Sequence, residues 1–272
     1  MGKTAKLPFW ILTIIAIASL ILNIYVYALV AGAGNENTPE FLTYTNTVII
    51  GWATVTVVCF ALTLKSFSLK SKPGKVWLFF MLGLVTWLIG DIIFMYNQVI
   101  VPLPEELQFP SMADQFWTIG YLLIFIGIIL QMRLATVKLT RKEIEVVLIV
   151  ATITSVLALV FIILPVSELL IADPTTTMEY AFFSLDYPIL DLVLLPLAIV
   201  LALKYRGGEF SKSWAIIGLG FLVTAIFDLL FTYFENFGEG YLFLYTDHLY
   251  IGYYMILAIG AMYLHSSLQS LK

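Results

Sequence analysis

Eight apolar runs, at approximately residues 9 to 31, 44 to 65, 75 to 97, 112 to 133, 144 to 166, 185 to 204, 213 to 236 and 246 to 266, leave this chain little choice of fold. Each is long enough to cross a hydrocarbon core of roughly 30 Å as a helix of about 20 residues. In lipid, a helix satisfies all of its own backbone polar groups without water. With 61% apolar and 12% charged residues, the chain also lacks the polar side chains that a water-exposed surface needs. The expectation is an all-α integral membrane protein with eight transmembrane helices. The segments between the runs carry turn chemistry, as in Lys72-Pro73-Gly74, Pro102, Pro104, Asp173-Pro174 and Gly207-Gly208, and none is long enough for a soluble domain. The first run follows Lys3 and Lys6, and Ala31-Gly32-Ala33 has the look of a cleavage site. At about 23 residues, however, the run exceeds a signal-peptide core, so it reads as a retained helix.

Orientation follows from the basic residues. All 14 lysines and arginines fall before the first run, in alternate connections (Lys65 to Lys75, Arg133 to Lys142, Lys204 to Lys212) or at Lys272. Basic loops stay cytoplasmic, so both termini are expected inside a cell membrane. The opposite loops hold Glu36, Glu40, Glu105, Glu106, Glu168, Asp173, Glu179, Glu235 and Glu239 and no basic residue. Such a face would concentrate cations near the protein.

The stretch 77–96 returns at 214–233. Lys75, Trp77, Leu82, Gly83, Ile89, Asp91, Phe94 and Tyr96 match Lys212, Trp214, Leu219, Gly220, Ile226, Asp228, Phe231 and Tyr233 without a gap. The helix after each copy opens with an aspartate followed seven residues later by a tyrosine, Asp114 with Tyr121 and Asp247 with Tyr254. Residues 1–142 and 143–272 are therefore expected to form two four-helix repeats. With an even number of spans each, the repeats share one orientation and are related by an axis along the membrane normal.

Asp91 and Asp228 lie roughly 21 Å along their helices from Trp77 and Trp214, in the outer part of the span. Asp114 and Asp247 start the returning helices, and Asp191 lies one to two turns into the sixth run, with no acidic counterpart in the second. An unpaired ionised aspartate at depth costs about 2.5 to 3.5 kcal/mol even on the mildest scale, and no lysine or arginine lies inside any run to offset it. Protonation, solvation by hydroxyls and amides, or a bound cation would each resolve the cost. Two plainer explanations stand beside a functional one. Ser111-x-x-Asp114 has the form of a capping box, and acids in a first helical turn suit the helix dipole. Trp87, Tyr96, Trp117, Tyr233, Tyr245 and Tyr250 fit an interfacial belt as well as a binding site, and His248 fits a simple polar contact. Pro165 and Pro196 are expected to kink their helices.

Several chemistries lack their residues. No helix carries a lysine for a retinal Schiff base, and Gly-x-Ser-x-Gly, His-Glu-x-x-His and P-loop patterns are absent. One cysteine and two histidines exclude disulfide frameworks and three-imidazole zinc sites. No cofactor and no nucleic-acid partner are expected.

Three motifs in order carry a resemblance. Residues 87–96, then Phe109-Pro110-Ser111-Met112-Ala113-Asp114-Gln115-Phe116-Trp117 with Gly120-Tyr121, then Asp186-Tyr187-Pro188-Ile189-Leu190-Asp191, resemble the multi-span input region ahead of GGDEF, EAL and histidine-kinase domains in bacteria. The resemblance covers nearly the whole chain and implies a prokaryotic membrane sensor. The sequence ends at Lys272 without an output domain, so signalling would pass through a separate partner chain. A weaker likeness, through Gly90-Asp91 and Asp228, is to the eight-span lysoplasmalogenase family, which implies that this aspartate pair would be catalytic. Ala113-Asp114-Gln115 replaces the histidine motif of that family. The reading is a receptor-like module with an outward-facing, acid-lined pocket formed by Asp91, Asp114, Tyr121, Asp191, Asp228, Asp247 and Tyr254. It would take a cation or small polar ligand from outside, with an intramembrane lipid hydrolase and a small cation or solute transporter as alternatives.

Overall fold

A computed structural model of the chain describes residues 7–34, 38–104, 109–135, 138–172, 177–205, 210–237 and 243–271. Among these, all regular structure is helical, and eight helices are long and apolar enough to cross a membrane. They are α1 (Leu7–Ala33), α2 (Pro39–Leu64), α3 (Lys72–Ile100), α4 (Met112–Leu134), α5 (Arg141–Ala172), α6 (Met178–Lys204), α7 (Ser211–Phe237) and α8 (Phe243–Gln269). Of the loop acids and basic residues read above, Lys3, Lys6, Glu36, Glu105, Glu106, Asp173, Arg206, Glu239 and Lys272 lie outside the described residues.

Two helices begin well before their apolar runs. Thr38 caps α2 by accepting from the Phe41 N–H at 3.4 Å, and Thr177 caps α6 by accepting from Tyr180 at 3.1 Å. Glu40 and Thr43 in the opening of α2, and Glu179 and Ser184 in that of α6, lower local hydropathy without breaking a capped helix. For α6 the shift matters: Asp191 stands 13 residues after Met178, roughly 20 Å down the helix, and not one to two turns in. Ahead of Pro165, α5 widens into a π-helical turn at Leu159–Ile163. The proline has no N–H for the carbonyl one turn back, and a wider turn accommodates that loss. A second such turn, Tyr96–Ile100, closes α3.

Glycines set the closest helix contacts. α3 and α4 run antiparallel with Gly83 against Gly120 and Gly90 against Trp117; a Cβ on Gly83 would lie 2.9 Å from the Gly120 carbonyl oxygen. α7 and α8 meet at corresponding positions. Gly220 abuts Leu257 as Gly83 abuts Ile124, and Gly260 abuts Ile217 as Gly127 abuts Phe80. Small residues let helix backbones approach in lipid, where packing takes the place of a hydrophobic driving force. α2 and α8 run parallel, with the hydroxyls of Thr56 and Thr63 reaching the carbonyls of Tyr254 and Ala261 at 2.8 and 3.0 Å.

Between α3 and α7, the half of the bundle nearer the termini is filled by aromatic rings. Trp77 and Trp214 have centroids 5.5 Å apart, Phe80 and Phe221 5.8 Å, and Phe60 and Trp77 5.1 Å, and all five side chains are buried. The periphery is inverted relative to a soluble protein: Ile14 on α1 and Leu148 on α5 are 65% and 60% exposed. These faces suit lipid tails.

Candidate functional site: a tyrosine-bridged carboxylate cluster

The other half of the bundle holds the aspartates. Asp91, on α3, is 3% exposed and receives three donors: the Trp117 indole N–H at 3.1 Å and the Tyr250 hydroxyl at 2.5 Å on Oδ1, and the Tyr254 hydroxyl at 2.7 Å on Oδ2. Trp117 comes from α4, while Tyr250 and Tyr254 come from α8, one helical turn apart on one face. Three donors distributed over two oxygens replace much of the water that burial removes.

Asp228 and Asp191 are arranged differently. Tyr121 Oη, fully buried on α4, lies 2.7 Å from Asp191 Oδ1 and also makes a hydrogen-bonding contact with Asp228 Oδ2. One phenol thus bridges a carboxyl from α6 and a carboxyl from α7. Asp191 is completely buried, and its Oδ2 has no hydrogen-bond partner among the described residues. Asp228 is half-buried. The two are near enough to interact electrostatically, as are Asp228 and Asp91.

Towards the start of α4 the cluster continues. Asp114 closes the capping box with Ser111, accepting from its backbone N–H at 2.7 Å and hydroxyl at 3.1 Å, and its other oxygen accepts from Tyr187 of α6 at 2.7 Å. Thr118 donates to Asp186 at 2.5 Å, and Asp186 lies within electrostatic reach of both Asp114 and Asp191. Asp114 is therefore both a helix cap and a neighbour of the cluster. Asp91, Asp228, Asp191, Asp186 and Asp114 form a chain of carboxylates whose hydrogen-bond partners, among the described residues, are hydroxyls, an indole and backbone N–H groups, never a lysine or arginine.

Asp247 stands apart. It accepts from Tyr27 of α1 at 2.8 Å, beside a contact of 3.1 Å between Asn23 Nδ2 and His248 Nδ1. Among the described residues no three His, Cys, Asp or Glu side chains are gathered so as to hold a metal ion. No family model, curated protein or solved structure matches the chain.

Of the residues expected to form a site, Asp91, Tyr121, Asp191, Asp228 and Tyr254 come together, Asp114 adjoins them, and Asp247 does not. Trp117 and Tyr250, which also fitted an interfacial belt, donate to Asp91 instead. Asp186 and Tyr187, which the sequence marks only as part of a motif, and Thr118, which it does not mark, join the cluster as well. Spacing held a signal for one of them: Asp114, Thr118 and Tyr121 fall at i, i+4 and i+7, one face of α4.

Proposed function

We propose that the chain is a multi-pass cell-membrane sensor, a receptor-like module whose carboxylate cluster responds to protons or a small cation arriving from the external side. In this reading residues 1–142 and 143–272 are two four-helix units of common orientation, both termini are cytoplasmic, and a separate signalling chain takes the output. The observation that carries it is a crossed pair of contacts. Tyr254 of the second unit donates to Asp91 of the first, and Tyr121 of the first bonds Asp228 of the second. A change of charge at either aspartate then acts directly on the packing between units, which is what a two-state switch requires. The aromatic filling around Trp77 and Trp214 favours a site reached from one side over a path through the protein.

The test is thermal stability of the purified protein in detergent across pH and a panel of monovalent and divalent cations, for wild type and for Asp91→Asn with Asp228→Asn. A ligand that binds the folded state raises stability as RT ln(1 + [L]/Kd), so a genuine site gives a concentration-dependent shift. The reading expects that shift in wild type and its loss in the double variant. Equal responses from both proteins overturn it, as does proton or cation flux through the protein in liposomes. Hydrolysis of a vinyl-ether lysolipid by wild type and not by the double variant would instead select the hydrolase.

A further inference from the structure

We infer that the ligand of this site is a proton, and that it is held by the Asp191–Tyr121–Asp228 triad rather than by the repeated aspartate Asp91. The inference rests on the sensor reading above and narrows its ligand.

The hydrogens available to the triad can be counted. A phenol has one proton to donate and lone pairs with which to accept. Tyr121 Oη contacts a carboxyl oxygen on each side, Asp191 Oδ1 and Asp228 Oδ2. If both carboxyls were ionised, one of these contacts would set lone pair against lone pair in a buried space. One further proton, on one of the two carboxyls and donated to the phenol oxygen, turns both contacts into hydrogen bonds. Asp91 needs no such addition, because each of its three neighbours brings its own hydrogen.

The choice between the two carboxyls follows from Asp191 Oδ2, which is buried without a partner in a side chain that is 0% exposed. An orphaned oxygen costs far less on a neutral acid than on a carboxylate. The proton therefore sits on Asp191 Oδ1 and points at Tyr121, and Tyr121 donates in turn to Asp228, the more accessible of the pair. The groups facing the triad are all neutral or acidic among the described residues. Asp186 lies on the same helix as Asp191; Asp91, Tyr187 and Tyr253 approach Asp228. Loss of the proton changes the triad from one negative charge to two, with a single hydroxyl left between them. The contact between α4, α6 and α7 then loosens as pH rises. Asp191 has no acidic counterpart in α2, so this device belongs to one half of the repeat only.

Infrared spectroscopy of the intact protein in lipid vesicles reads the proton directly, through the carbonyl stretch of a carboxylic acid and its shift in deuterium oxide. Wild type at neutral pH is expected to show a buried carboxylic acid component that disappears on alkaline titration. Asp191→Asn removes that component, and Asp91→Asn leaves it. Tyr121→Phe, which keeps the fold's volume, shifts its frequency because the acid loses its acceptor. A wild-type spectrum with no such component at neutral pH overturns the inference, as does an Asp191→Asn spectrum that superposes on wild type. A cation-linked stability shift without the carboxylic acid component leaves the sensor reading standing and removes the proton. An Asp191 proton in a protein whose Asp191→Asn variant keeps the wild-type dependence of stability on pH supports the proton and removes the sensor.

Discussion

The hydroxyl of Tyr254 on α8 donates to Asp91 on α3 over 2.7 Å, joining residues that are 163 positions apart in the chain. Its counterpart in the repeated stretches, Tyr121, bonds Asp228. Each tyrosine comes from a helix distant in sequence from its aspartate, and these ties stand beside other polar contacts across the bundle, such as those of Thr56 and Thr63 with the carbonyls of Tyr254 and Ala261. The second tie is altered by Asp191, which shares the phenol of Tyr121.

Asp91→Asn should destabilise the protein. The amide has one oxygen in place of two and turns an N–H₂ toward a tyrosine hydroxyl or the Trp117 indole. Hydrogen bonds to a charged group are worth about 1.5–3 kcal/mol each, and all three lose that charge assistance, while a tyrosine facing the N–H₂ must turn to accept and the indole cannot. The expected loss is about 2–3 kcal/mol, measured by reversible unfolding in mixed detergent micelles, with Tyr254→Phe costing roughly half as much.

Asp191→Asn should behave in the opposite way. An amide is a neutral group of the same shape, and it can donate to Tyr121 as the protonated acid does. At neutral pH the acid must take up a proton on folding and the amide need not, so the variant should be more stable than wild type, by about 1.4 kcal/mol for each pH unit between the ordinary carboxylate range and neutrality. Its stability should also lose part of its dependence on alkaline pH, which a series of unfolding curves between neutral and alkaline buffers would read.

Gly83→Val and Gly220→Val should each wedge a helix pair apart. A Cβ at Gly83 would meet Ile124 Cγ1 at 2.7 Å, and one at Gly220 would meet Leu257 at 2.7 Å. Overpacking of this kind costs about 1–3 kcal/mol. Gly51 has nothing within 4 Å of its Cβ position, so Gly51→Ala should be neutral or stabilising by up to about 1 kcal/mol through helix propensity. Thermal denaturation of the three variants in one detergent makes the comparison.

Cys59 is a buried free thiol beside Phe60, within the aromatic half of the bundle. Maleimide should label it at a negligible rate in the folded protein and fully after denaturation. Trp77→Ala, which leaves a large void next to Phe60, should lower stability by about 3–5 kcal/mol and make the thiol reactive under native conditions. Mass spectrometry of the labelled protein reads both outcomes.

Much of the architecture was legible in the chain, because lipid imposes a simple rule. A segment that cannot find water must satisfy its backbone internally, so length and apolarity alone announced eight helices. Helix starts were less legible where hydropathy and capping disagree. The Thr177 cap and the turns from Met178 to Ser184 extend α6 well ahead of its apolar run, which is why Asp191 lies deeper than its distance from that run implied.

The sequence by itself determined the spans and the repetition of Asp91 as Asp228, since both are properties of local order along the chain. It also marked these aspartates as costly, because a charge without a basic partner in lipid needs compensation wherever it goes. Only the tertiary structure decided which groups supply that compensation. Trp117 and Tyr250 had no feature that separated them from belt aromatics, and their donation to Asp91 depends on where α4 and α8 meet α3. The same holds for Asp247, which resembled Asp114 in spacing yet turns to Tyr27 of α1. Hydrogen bonds between helices depend on the angle and register of their packing, which arises where two segments meet, as Gly83 meets Gly120, and which no single segment encodes.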